Sequence, residues 1–204
     1  KQSKVAYFHG CAANYFDDGV GDAVIQVLKR YGVTPDLPPQ RCSGTPIETY
    51  GYRNLAKEGA RENLRNFNGY ETVVTGCASC TLALKDYPKW FKGEPEEKAA
   101  VALANSVKHI SEFALEKDSL KPSTNKKQFA KKVTYHSSCH LRAAGVIKQP
   151  RQLLSNLPGV DYVEMVDADR CAGGAGTYIV KDYETSQKIF QRKKTAIKDS
   201  QAEV

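Results

Sequence analysis

Val5-Ala-Tyr-Phe-His-Gly-Cys11 and Val133-Thr-Tyr-His-Ser-Ser-Cys139 read as two copies of one segment, each opening on strand-favouring residues and closing on a cysteine. A second pair follows, Arg41-Cys42-Ser43-Gly44 and Arg170-Cys171-Ala172-Gly173. The copies keep step, at an offset of 128 residues for the first cysteine and 129 for the second. Cysteines with unrelated structural tasks have no reason to hold register over that distance. A duplicated half that brings the same thiolates to the same kind of centre does.

Outward from these segments, strand-like and helix-like stretches alternate. Lys4 to Phe8 reads as a short strand. Asp18 to Tyr31 carries Val20, Ala23, Val24, Val27 and Leu28 at helical spacing, and a Gly/Pro-rich run from Gly32 to Pro39 stops it. Asn54 to Phe67 reads as an amphipathic helix and Tyr70 to Thr75 as a strand, with Cys77-Ala-Ser-Cys80 opening the next helix. Glu96 to Leu115 reads as one long helix, with His109 a surface or packing residue inside it. Residues 117–132, polar and lysine-rich with Pro122, read as a linker. The pattern then restarts: a strand at Val133 to His136, a helix at Pro150 to Leu157, a strand at Tyr162 to Val166 and a helix at Tyr183 to Ala196. This alternation predicts an α/β fold of two pseudo-symmetric parallel-sheet halves arising from an internal duplication, residues 1–116 and 133–204. Ligands of open α/β sheets gather beyond the carboxyl ends of the strands. Each cysteine falls just after a predicted strand or in the loop that follows.

Composition narrows the class. Hydrophobic residues make up 41% of the 204 and charged residues 26%, the balance of a soluble globular protein with a real core. No window approaches the roughly 20 apolar residues that cross a bilayer. Lys1-Gln-Ser-Lys leads straight into the first strand without a signal peptide, so a cytoplasmic location is expected. Six cysteines in a chain of this length argue for metal thiolates over the disulfides of short secreted domains. The net charge of +7 is spread over lysines and arginines with clusters at Lys126-Lys127, Lys131-Lys132 and Arg192-Lys193-Lys194. Without a helix-turn-helix or finger spacing they read as solvated faces, and no nucleic-acid partner is expected.

Cys77-Ala-Ser-Cys80 can turn two thiolates toward one metal, although redox dithiols share the spacing. Its company, Cys11 and Cys42, makes four thiolates in one half, a set that suits tetrahedral zinc or an iron–sulfur cluster. Gly10 and Gly44 would let backbone amides approach the sulfurs. His9 and His136 precede the first cysteines and His140 follows Cys139. Each is open to two readings, a metal ligand or an imidazole hydrogen-bonded to backbone or sulfur. Tyr7 and Tyr135 recur with the duplication and read as core. Gly173 to Gly176 lacks the Lys-Ser/Thr ending of a phosphate loop and reads as close packing beside Cys171. The second half supplies Cys139 and Cys171. The 35-residue step from Cys42 to Cys77, added to Cys171, reaches position 206, so this half reads as stopping short of its own C-x-x-C. No nucleophile–base–acid set is evident, and no catalytic residue is expected.

Phe8-His-Gly-Cys11, Arg41-Cys-Ser-Gly-Thr-Pro46, Tyr135-His-Ser-Ser-Cys-His140 and Cys171-Ala-Gly-Gly-Ala-Gly-Thr-Tyr178 resemble the cysteine-rich CCG domains. These occur in the cysteine-rich subunit of heterodisulfide reductase and in the iron–sulfur subunits of anaerobic glycerol-3-phosphate dehydrogenase, glycolate oxidase and lactate-utilisation oxidases. The family pattern is a cysteine, a Cys-Cys-Gly and a C-x-x-C, usually present twice. Here Ser43 and Ala172 stand where the family has the second cysteine of each pair. In heterodisulfide reductase five cysteines of a full motif hold a noncubane four-iron cluster. With four cysteines and a serine in the first half, the resemblance implies a conventional [4Fe–4S] cluster or zinc. It implies an oxidoreductase subunit that takes electrons from a dehydrogenase partner, a flavoprotein, and passes them toward a quinone or another carrier, with membrane association only through a partner. A disulfide-reducing catalytic subunit and a zinc-binding structural subunit are the alternatives.

Overall fold

The computed structural model describes residues 4–117 and 130–204, and the chain falls into two compact units, one up to Lys117 and one beyond it. Most of the expected linker, residues 118–129, lies outside the described residues.

In the first unit, four consecutive apolar residues form β1 (Val5–Phe8), and all four are buried, as befits a strand covered on both faces. Helices α1 (Ala12–Tyr15) and α2 (Asp18–Arg30) follow, then α3 (Thr45–Thr49) and α4 (Arg53–Asn66). Strand β2 (Thr72–Thr75) pairs parallel with β1, Val5 opposite Thr72 and Phe8 opposite Thr75. Then come α5 (Ala78–Trp90), α6 (Glu97–Ser106), β3 (Val107–His109) and α7 (Ile110–Glu116). The sheet order is β1-β2-β3. On the outer side of β1 the Asp36 backbone bonds to Tyr7 N–H and to Val5 C=O, both at 2.9 Å.

Strand alternation sorts the core into two layers. Ala6, Phe8 and Val73 face Ala56, Ala60 and Leu64 of α4 and Leu84, Tyr87 and Phe91. Val5, Tyr7 and Val74 face Val24 and Leu28 of α2 and Phe113 of α7. Lys57 and Arg61 of α4 reach Glu94 and Arg61 also reaches Glu96. Their cationic groups lie 5.3 and 5.4 Å from the centre of the buried Phe91 ring.

The expected long helix over 96–115 is broken. Val107–His109 form a strand on the edge of β2, with Val73 opposite Val107 and Thr75 opposite His109. Asn105 and Ser106, poor helix formers, end α6, and a capping box starts α7: His109 Nδ1 accepts from Ser111 N–H, and Glu112 accepts from His109 N–H at 2.8 Å. His109 is therefore a strand-end and cap residue, not a mid-helix one.

The second unit contains β4 (Lys131–Val133), α8 (Cys139–Ala143), α9 (Gln149–Asn156), β5 (Val160–Tyr162), α10 (Tyr178–Lys181) and α11 (Tyr183–Asp199). Strands β4 and β5 pair parallel. Both begin two residues earlier than their patterns predict, because the pairing register, Lys131 opposite Val160, outweighs the apolar run that follows. Lys131 and Lys132 are thus strand rather than linker. Glu203 and Val204 lie along the other side of β4: Glu203 N–H donates to Lys132 C=O at 2.8 Å, and Thr134 N–H donates to Val204 C=O at 2.9 Å. In the first unit Lys4 C=O accepts from Glu71 and Thr72, as Lys132 C=O does from Glu203 and Val204. The duplication is therefore visible in the backbone bonds: Glu203–Val204 hold the place where β2 starts, and β5 the place of Asp36. Lys193, expected on a solvated face, is 3% exposed and donates to the Asp167 and Ala168 carbonyls. No helix among the described residues is long and apolar enough to cross a membrane.

Candidate metal centre

The carboxyl ends of β1 and β2 aim two loops the same way. Cys11 lies three residues past β1, and Cys77 two residues past β2. Cys42 comes from the loop before α3, and Cys80 from the first turn of α5. Cys11 and Cys42 bring their Sγ atoms to 3.9 Å. Cys77 caps α5, its Sγ accepting the Cys80 N–H at 3.5 Å. The two pairs also feel one another: Cys42 acts electrostatically on Cys80, and Cys77 on Cys11. All four are free thiols. Among the described residues, no three His, Cys, Asp or Glu side chains already close around one ion-sized point.

The electrostatics are those of crowded sulfurs. A hydrogen bond from Cys80, with the amides of Cys80 and Ser79 at the start of α5, holds the Cys77 thiol below its ordinary range despite burial. Cys80 is pushed well up, first because its proton is shared toward Cys77 and then by burial. Burial raises Cys11, and the neighbouring Cys42 raises it further. Charges such as that of Cys77, which raises both Cys80 and Cys11, favour a cation between the sulfurs. The donors are soft sulfur, as zinc or iron–sulfur chemistry requires. Gly10, at φ +70°, leaves room for them: a Cβ there would stand 2.8 Å from Cys80 Sγ. The residues present fit a thiolate-bound metal or cluster.

A buried polar frame holds the Cys42 loop. Asn63 Oδ1 accepts Arg41 N–H at 2.8 Å, and its Nδ2 donates to Arg41 C=O at 3.2 Å and to Tyr87 Oη at 3.1 Å. Tyr87 O–H donates to Ser43 C=O at 3.0 Å. Ser43, 2% exposed, hydrogen-bonds the Cys80 sulfur. Its neighbour Thr45 spends its own hydroxyl proton on Ser79 C=O, which leaves the Ser43 proton for sulfur or for Thr45 Oγ1. The glycines work differently from expectation. Gly10 N–H donates to Gln40 Oε1 at 3.1 Å rather than to sulfur. Gly44, at φ +93°, makes room for Trp90, whose ring atoms a Cβ would meet at 3.1 Å.

Sequence reasoning missed Asn63, Tyr87, Gln40 and His109 as supports. Asn63 alone left a signal, a polar residue on the Ala56/Ala60/Leu64/Phe67 stripe. His109 hydrogen-bonds the Gly76 backbone just before Cys77, and with Nδ1 accepting from Ser111 the donor there is Nε2–H.

In the second unit Cys139 opens α8 and Cys171 lies in a loop; both are exposed, and the structure does not bring them into contact. Gly173 N–H donates to Cys171 Sγ at 3.3 Å, and a Cβ on Gly173 would stand 2.5 Å from Ser186 C=O, so Gly173 is close packing beside sulfur, whereas Gly174 and Gly176 have open space around them. His9 Nδ1 lies 2.9 Å from Gly10 O, bonding backbone. His136 is exposed, and His140 is half-buried on α8.

A family model for the CCG cysteine-rich domain matches residues 5–85 and again residues 133–204. The chain is 34% identical over 203 residues to Lactate utilization protein A of Oceanobacillus iheyensis, a match covering 98% of this chain and 82% of that protein. It is 34% identical to the protein of the same name from Geobacillus kaustophilus, covering 98% and 84%. It is 32% identical over 200 residues to a subunit of the fumarate reductase (CoM/CoB) of Methanothermobacter marburgensis, covering 96% of this chain but 38% of that longer protein.

Proposed function

The chain belongs to the CCG family of cysteine-rich domains, and from that membership we propose that it is an iron–sulfur electron-transfer subunit of an oxidoreductase. Cys11, Cys42, Cys77 and Cys80 would hold a [4Fe–4S] cluster in the first unit. The observation that carries this reading is the approach of Cys11 and Cys42 to 3.9 Å from separate loops, with Cys77 and Cys80 within electrostatic reach of them, beyond the ends of two adjacent parallel strands. The cluster, when bound, would supply one-electron chemistry at a potential set by charge, burial and hydrogen bonds to sulfur. The chain's own residues would fix that setting: Gly10 by its missing side chain, Ser43 by its hydroxyl, and Asn63 with Tyr87 by immobilising the Cys42 loop. The relatives' names, lactate utilization and fumarate reductase, support a redox task over a structural one. A dehydrogenase subunit, a flavoprotein in the reading from sequence, would donate the electrons, and a quinone-reducing or other carrier partner would take them. Cys139 and Cys171 would serve a second centre.

Zinc has one observation in its favour: two thiolates at 2.3 Å on one tetrahedral ion stand about 3.8 Å apart, close to the 3.9 Å of Cys11 and Cys42. Zinc carries no electrons, and the relatives' redox names weigh against it. Anaerobic purification with iron, sulfide and zinc analysis and with electron paramagnetic resonance after reduction decides between them. Iron and acid-labile sulfide in equal amounts with a reducible signal are the expected result. A colourless protein with one zinc would overturn the electron-transfer reading.

A further inference from the structure

Tyr7 is 1% exposed, and its hydroxyl has no hydrogen-bond partner. Buried hydroxyls are almost always paired, so an orphan calls for a specific explanation. The ring is held firmly, inside the layer formed by Val5, Val24, Leu28, Val74 and Phe113. The hydroxyl lies 3.9 Å from where a Cβ on Gly21 would stand and 4.0 Å from one on Gly76. Two glycines therefore flank it, and Gly76 adjoins Cys77. The charges of Cys80 and Cys77 also reach it, helping burial to push its pKa up to about 12. At any physiological pH this group is a neutral O–H, a donor without an acceptor that lies within electrostatic reach of Cys77 and Cys80.

We propose that Tyr7 is a positioning residue of the metal centre, its hydroxyl donating a hydrogen bond to a sulfur of the Cys77–Cys80 side, a thiolate or a bound sulfide. This rests on the reading of the four thiols as a metal site. The orphan state then belongs to the chain alone, and the bond completes when the site is loaded. A donor to sulfur stabilises the more negative, reduced state, so Tyr7 holds the reduction potential up and slows loss of the metal. Tyr135, its counterpart in the second copy, is half-buried and serves as the internal control.

The test is Tyr7→Phe, with Tyr135→Phe beside it, purified anaerobically with bound metal. Iron and sulfide in the wild type are measured first; their absence defeats the cluster reading itself and is scored separately. Removing one donor is expected to shift the one-electron equilibrium about threefold to tenfold toward the oxidised form, a tenfold change being 59 mV for a one-electron couple. Metal release to a chelator should quicken by a similar factor, a readout that applies to zinc as well. Tyr135→Phe should change neither. A second measurement compares the exchangeable protons seen by electron–nuclear double resonance of the reduced protein in H2O and D2O: Tyr7→Phe should lose one coupled proton that the wild type has, while those of the Cys80 N–H and Ser43 O–H stay in both. Unchanged potential and release in Tyr7→Phe, or the same set of coupled exchangeable protons in Tyr7→Phe as in the wild type, would overturn the proposal.

Discussion

Replacing Asn63 by alanine tests whether a buried amide, remote from sulfur, holds the Cys42 loop. Asn63 is 0% exposed and uses both ends of its amide, accepting from Arg41 N–H and donating to Arg41 C=O and Tyr87 Oη. The alanine variant leaves the two Arg41 backbone groups without these partners, in a half-sheltered position that water reaches only in part. Each orphan costs about 1–3 kcal/mol when fully buried. Discounted for partial access, and for a return of roughly 0.5 kcal/mol from alanine's better helix propensity, the net loss is about 2–3 kcal/mol. That is a large share of the roughly 5–15 kcal/mol that a domain has. Tyr87→Phe removes the O–H that serves Ser43 C=O and should cost about 1–2 kcal/mol. Because the two residues share a bond, the double variant should lose less than the sum, by about 0.5–1.5 kcal/mol. Anaerobic urea melts of the metal-loaded protein measure all three values. The rate of metal transfer to a chelator reports on the loop itself and should rise in step. If Asn63→Ala melts within about 0.5 kcal/mol of the wild type and releases metal at the same rate, the frame does not support the site.

Four further outcomes follow from the same geometry. Cys80→Ala should strip the metal and destabilise the first unit, since binding and folding are coupled; full metal content would remove Cys80 from the ligand set. Gly10→Ala meets Cys80 Sγ at 2.8 Å besides its positive φ, whereas Gly93→Ala, at φ +76° with open space around it, suffers only the backbone strain of roughly 1–2 kcal/mol; Gly10→Ala should therefore lose metal as well as stability, and equal behaviour of the two by metal analysis would refute the contact. Ser43→Cys places a fifth thiol against Cys80 and should change the visible spectrum of the loaded protein, an unchanged spectrum showing that the residue 43 side chain does not meet the centre. Burial lowers the His109 pKa to about 4, so the folded state keeps it neutral while the unfolded state protonates near 6.5. Its contribution is unaffected above pH 6.5, is lost progressively as pH falls from there toward 4, and totals about 3 kcal/mol; Glu112 and Lys85 face it with opposing effects. His109→Gln should flatten the acid limb of the stability curve, and a limb of equal slope would show that other groups carry it.

Much of the site was legible because it is written in local chemistry. Cysteines are rare, their spacing is countable, and a C-x-x-C at the start of a helix keeps two thiols within one turn of each other. The helices α2 and α4 announced themselves by apolar spacing, and β1 by a short run of strand-favouring residues, all four of which the structure buries. The supports were hidden because each depends on a partner distant in sequence. Asn63 is polar on an apolar stripe until Arg41, 22 residues earlier, comes to meet it. Gly10 looks like a residue for amide contacts until the Cys80 sulfur arrives where its side chain would be.

The sequence by itself determined that the chain is a duplicated α/β protein and which sulfurs are available, since periodicity, glycine and proline stops and cysteine spacing are properties of neighbours along the chain. Only the tertiary structure decided that Val107–His109 are strand rather than helix, that Cys11 and Cys42 meet, and that the Tyr7 hydroxyl is left without a partner. A three-residue strand has no period of its own and gains its hydrogen bonds solely from β2. A thiol or a hydroxyl has no geometry at all until the sheet sets which loops end side by side.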